Sequence, residues 1–173
     1  MPARGTFLGL VLGTAAWAAN DAGTRSVPME LRRNMPFVPV VDLVVGAETV
    51  PAVIDSRGSG LALPGSLASR LKLSSEPVMT GRGRTISGEC ELRGADLAED
   101  VRLGAYRLPR PFVAFHPDFP LGNVGGIVLR AFVVTFDQRN KLVRLDAPER
   151  TLVLPRPRPR AASTDAGAPQ HGR

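Results

Sequence analysis

An apolar run, Val53-Ile54, ends on a carboxylate, Asp55, and a hydroxyl, a base and a glycine follow it: Ser56, Arg57 and Gly58. Ser59-Gly60 and the apolar Leu61-Ala62-Leu63 then lead to Pro64. A carboxylate at the end of a buried strand is costly unless the adjoining turn supplies hydrogen bonds to it. A group kept there at that cost suits acid–base chemistry, in which a carboxyl group takes up a proton in one step and returns it in another. Asp55 is therefore the candidate catalytic residue, with Ser56, Arg57 and Gly58 as its immediate supports. The competing reading is a turn-capping carboxylate with no chemistry.

Other chemistries have little material. Cys90 is the only cysteine, and His116 and His171 are the only histidines. A Cys/His nucleophile pair or a zinc cluster is not expected, nor any metal or cofactor. Cys90 reads as a small buried hydrophobe. His116, beside Pro117 and Asp118, reads as a surface loop residue. Gly125-Gly126 fits close backbone packing better than a phosphate cradle, because no Gly-x-Gly-x-x-Gly surrounds it.

The elements that must position Asp55 are strands. Phe37 to Val45 is rich in β-branched residues, turns at Gly46-Ala47-Glu48, and returns from Thr49 to Ile54 as a hairpin delivering Asp55. Pro64 is expected to start a short helix with Leu67 and Leu71 at i, i+4 spacing. Val78 to Ile86 reads as a hairpin with a glycine-rich, mobile tip. Leu97–Leu103 and Tyr106–Phe115 are expected to pair across Gly104-Ala105. A segment from Leu121 to Leu129 then leads by a short helical turn to Phe132. Val133–Phe136 and Lys141–Leu145 flank a turn at Asp137, and a last short strand is expected over Thr151–Leu154. Many short strands with brief helices imply an all-β barrel or sandwich.

Three features stand in order over about 37 to 145: the Asp55-Ser56 turn, a glycine-rich hairpin, and an apolar-x-Gly segment before a short helix. This order resembles the retropepsin-like, single-lobe aspartic proteases. The stretch Leu129-Arg130-Ala131-Phe132-Val133-Val134-Thr135-Phe136-Asp137 is similar to exported bacterial members of that group. The resemblance implies a flap over the substrate at Thr80, Gly81, Arg82 and Gly83, running on to Thr85. It also implies that Val124, Gly125 and Gly126 thread beside the Asp-bearing strand as the ψ-shaped centre of the lobe.

The mechanism so implied uses two carboxylates about 3 Å apart sharing one proton. One accepts a proton from the attacking water while the other donates to the peptide carbonyl of a peptide or protein substrate. Asp21-Ala22-Gly23 and Asp165-Ala166-Gly167 lie in polar ends and offer no convincing second motif. Asp55 would need Asp55 of a second copy across a two-fold axis, so a homodimer is expected. Ser56, by analogy, would hydrogen-bond across that axis. The departure from the family is Arg57, which stands where the family has glycine. A guanidinium beside Asp55 would favour a doubly ionised pair. Two copies near an axis would repel by up to about 4 kcal/mol at about 4 Å, with an effective dielectric near 20. Alternatively the side chain points to solvent and Gly58 supplies the needed freedom one position later. The runner-up function follows from Arg57: a pseudoprotease that keeps the fold as a peptide-binding or structural module.

The 173 residues suffice for one domain. Arg4, the apolar run 7–19 and Ala16-Trp17-Ala18 have the form of a secretory signal cleaved after Ala18, too short to span a bilayer comfortably. Export to the periplasm or beyond is expected, with no membrane span after cleavage. The organisation reads as signal 1–18, lead-in 19–35, domain 36–154, and a disordered Pro/Arg-rich tail 155–173. The net charge of +6 belongs mostly to the ends, leaving residues 19–154 at only +2. With one tyrosine and no aromatics among the tail arginines, nucleic acid is not an expected partner.

Overall fold

Alternation drives the first hairpin. Val41, Leu43 and Val45 are buried, while Asp42 and Val44 between them are only half-buried, the period of two that a strand imposes. The computed structural model describes residues 25–32, 35–85 and 88–156. Its strands are β1 (Ser26–Pro28), β2 (Glu30–Arg32), β3 (Met35–Val45), β4 (Glu48–Asp55), β5 (Leu61–Pro64), β6 (Val78–Thr85) and β7 (Gly88–Asp96). There follow β8 (Val101–Leu103), β9 (Tyr106–Leu108), β10 (Phe112–His116), β11 (Gly122–Gly125), the single helical turn α1 (Gly126–Leu129), β12 (Val133–Asp137) and β13 (Leu142–Asp146). A 3-10 turn, Gly65–Leu67, follows Pro64, and the Leu71 N–H donates to the Leu67 carbonyl, so both leucines face the core. The fold is all-β.

In the larger sheet the strands run β6-β7-β10-β5-β11-β4-β3-β8-β9, with β2 on β3. The smaller sheet runs β1-β13-β12. The centre decides the architecture. β11 lies between β4, to which it is parallel, and β5, to which it is antiparallel. Ala52, Ile54, Leu61, Leu63, Val124 and Val128 meet in the main core on one face of these strands. Val40, Val53 and Leu121 form a small cluster with Val38 and Phe119. By alternation Asp55 lies on that second face.

Tyr106 ties the two sheets together. Its side chain is 1% exposed; the hydroxyl donates to the Leu145 carbonyl at 2.7 Å and accepts from the Ala147 N–H at 3.2 Å. Its ring meets Phe132 edge-on at 4.8 Å.

Several expectations are corrected. The lead-in expected over 19–35 contains β1 and β2, because Val27 and Met29 have buried places waiting in the core. The strand expected from Tyr106 to Phe115 is broken by Pro109-Arg110-Pro111, where prolines cannot donate to a ladder and Arg110 takes φ 37°. Leu97 makes only an isolated bridge to Leu73, and the strand begins at Val101. Thr151–Leu154 is held by one bridge, Thr151 to Arg107, rather than as a strand. The tail expected from residue 155 begins as ordered chain, since Arg156 is ion-paired to Asp96. The signal region 1–18, residues 19–24 and the tail beyond 156 lie outside the described residues, as do 86–87. No helix among the described residues is long and apolar enough to cross a membrane.

Candidate active site

Asp55 is the last residue of β4 and stands opposite Gly125 of β11 in parallel register. It is half-buried, and both of its carboxylate oxygens accept hydrogen bonds. The Arg57 backbone N–H donates to Oδ1 at 2.9 Å, the self-closing turn that Asp favours. The Asn123 side-chain amide donates through Nδ2 to Oδ2 at 3.2 Å. The Gly58 N–H closes the turn on the Asp55 carbonyl at 3.0 Å.

The turn is stitched to the start of α1. Gly125, Gly126 and Ile127 donate their N–H groups to the carbonyls of Gly60, Gly58 and Ser59, at 2.8, 2.7 and 3.0 Å. A β-carbon on Gly125 would lie 2.5 Å from the Gly60 carbonyl oxygen and 2.7 Å from that of Gly58. Close backbone packing therefore accounts for Gly125, with Val124 fully buried behind it.

The same test separates Arg57 from Gly58. The Arg57 side chain is exposed and forms no ion pair with Asp55; only its backbone touches the carboxylate. Gly58 is the position where an added side chain meets the site, because a β-carbon there would stand 2.6 Å from Asn123 Oδ1. Of the two placements the sequence leaves open for Arg57, the structure adopts the solvent-facing one. Ser56 is exposed as well.

A cavity of about 380 Å³ opens beside the turn, walled by Leu61, Phe112, Phe119, Leu121 and Ile127 and reached by Gly58 and Asn123. Asp55 is not in its wall, but Gly58 and Asn123, each hydrogen-bonded to Asp55, are. Thr80 of β6 and Leu92 of β7 close it from the hairpin side, joined by the Thr80 hydroxyl on the Leu92 carbonyl at 3.0 Å. The hairpin expected to act as a flap contributes Thr80 and Leu92 to the cavity wall, but its glycines are not at a tip. Gly81, Arg82 and Gly83 are paired within β6 to Leu92, Glu91 and Cys90. Gly81 serves an irregularity in register, with φ 157°. The turn itself, 86–87, lies outside the described residues.

Two residues gain weight that the sequence did not give them. His116, expected at the surface, is half-buried and lines the cavity, its ring 6.1 Å from that of Phe119. Asn123 was not a sequence-derived candidate. The available signal was spacing: it lies two residues before Gly125, hence on the Asp55 face of the ψ strand. Among the described residues no three His, Cys, Asp or Glu side chains gather into a metal-binding group.

The sequence profile of the family described as aspartyl protease matches residues 41–132, just over half of the chain, from within β3 through α1. No curated protein sequence matches significantly. Among solved structures the chain is similar to a retropepsin-like aspartic protease from Rickettsia conorii, at 16% identity and TM-score 0.48, over 70% of this chain and 90% of that one. It is also similar to the EIAV protease complexed with the inhibitor HBY-793, at 16% identity and TM-score 0.43, over 57% of this chain and 91% of that one. With the matched segment delivering Asp55 to the ψ-shaped crossing of β4, β5 and β11, the chain belongs to the aspartyl protease family.

Proposed function

We propose that the protein is an aspartic-type endopeptidase whose dyad is Asp55 of two copies. The observation that carries this reading is the state of Asp55: a strand-end carboxylate with both oxygens held by fixed donors, beside an apolar cavity large enough for a substrate side chain. In the reaction, one carboxylate takes a proton from water as its oxygen attacks the peptide carbon. The other carboxyl protonates the carbonyl oxygen. Collapse of the resulting diol then sends a proton to the departing amine and leaves a new carboxyl terminus.

In this reading a second copy supplies the other carboxylate, since the groups hydrogen-bonded to Asp55 are Arg57, Gly58 and Asn123, none of them acidic. The edge of β12 supports such pairing. Among the described residues it is hydrogen-bonded on one side only, to β13, and Val133 and Phe136 are 69% and 45% exposed, a template for a further strand. Ser56, exposed beside Asp55, would meet its counterpart near the axis. Residues 1–18 are proposed to direct export and to be removed after Ala18, which N-terminal sequencing of the mature protein tests.

The reading is tested by hydrolysis of a mixed peptide library from pH 3 to 7, beside Asp55→Asn. Cleavage that vanishes in the variant supports it. Folded, dimeric protein without Asp55-dependent cleavage would instead make this a binding module that keeps the fold.

A further inference from the structure

We infer that Asn123 is the positioning residue of this site, its side-chain amide fixing the plane of the Asp55 carboxylate. The inference rests on the reading that Asp55 does acid–base work.

Asn123 stands opposite Val53, two residues from the Gly125–Asp55 pair. Alternation therefore aims its side chain and that of Asp55 from the same face. Gly125 lies between them and has no side chain to fill the interval. Gly58 closes the space from the turn and has none either. Into this gap the Asn123 amide extends, placing Nδ2 at 3.2 Å from Asp55 Oδ2.

The amide has one favourable orientation. An amide nitrogen only donates and an ionised carboxylate only accepts. The reverse orientation would set two acceptors against each other. As oriented, Asn123 Oδ1 is buried and has no hydrogen-bond partner. A polar atom left in that state is destabilising, and Leu121 just before this strand and Val124 within it are apolar and buried. An apolar side chain at 123 would avoid the cost but would lose the bond to Asp55.

With Oδ1 held by the Arg57 N–H and Oδ2 by Asn123, rotation of the carboxylate breaks both bonds. The lone pairs stay directed where an attacking water must be met, and alignment of this kind is worth large factors in rate. The loss on removing it falls on turnover rather than on substrate binding. Few other charges bear on the pair. β5, β11 and α1 carry no titratable side chain. Nearby are Arg57 in the same turn, His116 in the cavity wall and the exposed Asp118 after β10.

The test has two arms on the full protein. In the first, Asn123→Ala and Asn123→Leu are expected to lower kcat about 10- to 100-fold with KM within about threefold. Leucine restores volume but not the donor, so a leucine variant with wild-type kcat would overturn the inference. In the second, the side-chain amide signals of Asn123 are followed by NMR from pH 3 to 8 in wild type and in Asp55→Asn. They are expected to move with the titration of a carboxyl and to lose that movement in the variant. Signals that stay flat, or a movement that survives Asp55→Asn and so belongs to His116 or Asp118, overturn it. This arm reads the contact whether or not the protein cleaves peptides, so failure of the peptidase reading and failure of the Asn123 assignment are distinguishable.

Discussion

Gly58 and Asn123 compete for one space. A β-carbon on Gly58 would stand 2.6 Å from Asn123 Oδ1, so any larger residue at 58 must push the amide off Asp55. Gly58→Ala is expected to lower kcat at least about tenfold. The stability cost should be smaller, about 1–3 kcal/mol by the usual measure of overpacking. Urea unfolding beside kinetics separates the two effects. A Gly58→Ala protein with wild-type turnover would show that the amide has another place to go.

Arg57 should be dispensable to the fold. Its side chain is exposed and its contribution at the site is a backbone N–H that every residue but proline carries. Arg57→Gln is expected to change unfolding free energy by no more than about 0.5 kcal/mol. It should tighten dimerisation about two- to fivefold at low salt and much less at high salt, as screened repulsion requires. Sedimentation equilibrium at two ionic strengths measures both.

Val133 on the open edge of β12 offers the opposite test. Val133→Asp places a charge on an exposed apolar position. The monomer fold should be unaffected, while the dimer dissociation constant rises at least about tenfold as a charge is buried without a partner. Unchanged association would move the interface elsewhere.

Tyr106→Phe probes the joint between the sheets. It removes the hydroxyl that serves both the Leu145 carbonyl and the Ala147 N–H. Leaving buried backbone groups unserved costs about 1–3 kcal/mol, read as a lower urea midpoint. Cleavage per folded molecule should be unaltered, since Tyr106 is remote from the Asp55 turn in the sheet order.

The attachment of β1 to β13 should depend on acid pH. Asp146 titrates below its usual 3.8 because the Arg25 guanidinium, and then Arg144, hydrogen-bond its ionised form. A lowered carboxyl contributes stability that is present above the usual value and lost as pH falls through the folded one. Between pH 5 and pH 2, wild-type stability is expected to fall more steeply than that of Asp146→Asn. These groups lie in solvent, so the difference should be small and should shrink in salt. Parallel slopes would assign the acid sensitivity to other carboxylates.

Much of this was legible in the residues. The hairpin of β3 and β4 followed from β-branched alternation and Asp55 from its place at the end of that run, whereas the short helical turn expected between Leu129 and Phe132 stands earlier, over Gly126–Leu129. Asp137 was readable as a turn residue, and Asn140 bonds both of its oxygens. What escaped was whatever depends on partners distant in the chain. β1 and β2 are three residues each and form because β13 and β3 receive them. Gly81 and Gly83 have the composition of a turn, yet pairing with β7 draws them into a strand. Asn123 sits in an apolar segment with no local mark of its contact with Asp55.

The crossing of β11 between β4 and β5 sets a sequence of events in time. Asp55 and Asn123 are separated by 68 positions, and contacts at such separations close late because the loop between them must be ordered first. As the chain is made, the carboxylate emerges early, while its second donor and the N–H groups that brace its turn follow much later. A chain ending before Gly122 carries Asp55 but neither of those supports. Competence for chemistry is therefore a mark of completed folding, and a half-made or half-unfolded copy holds a carboxylate without a site.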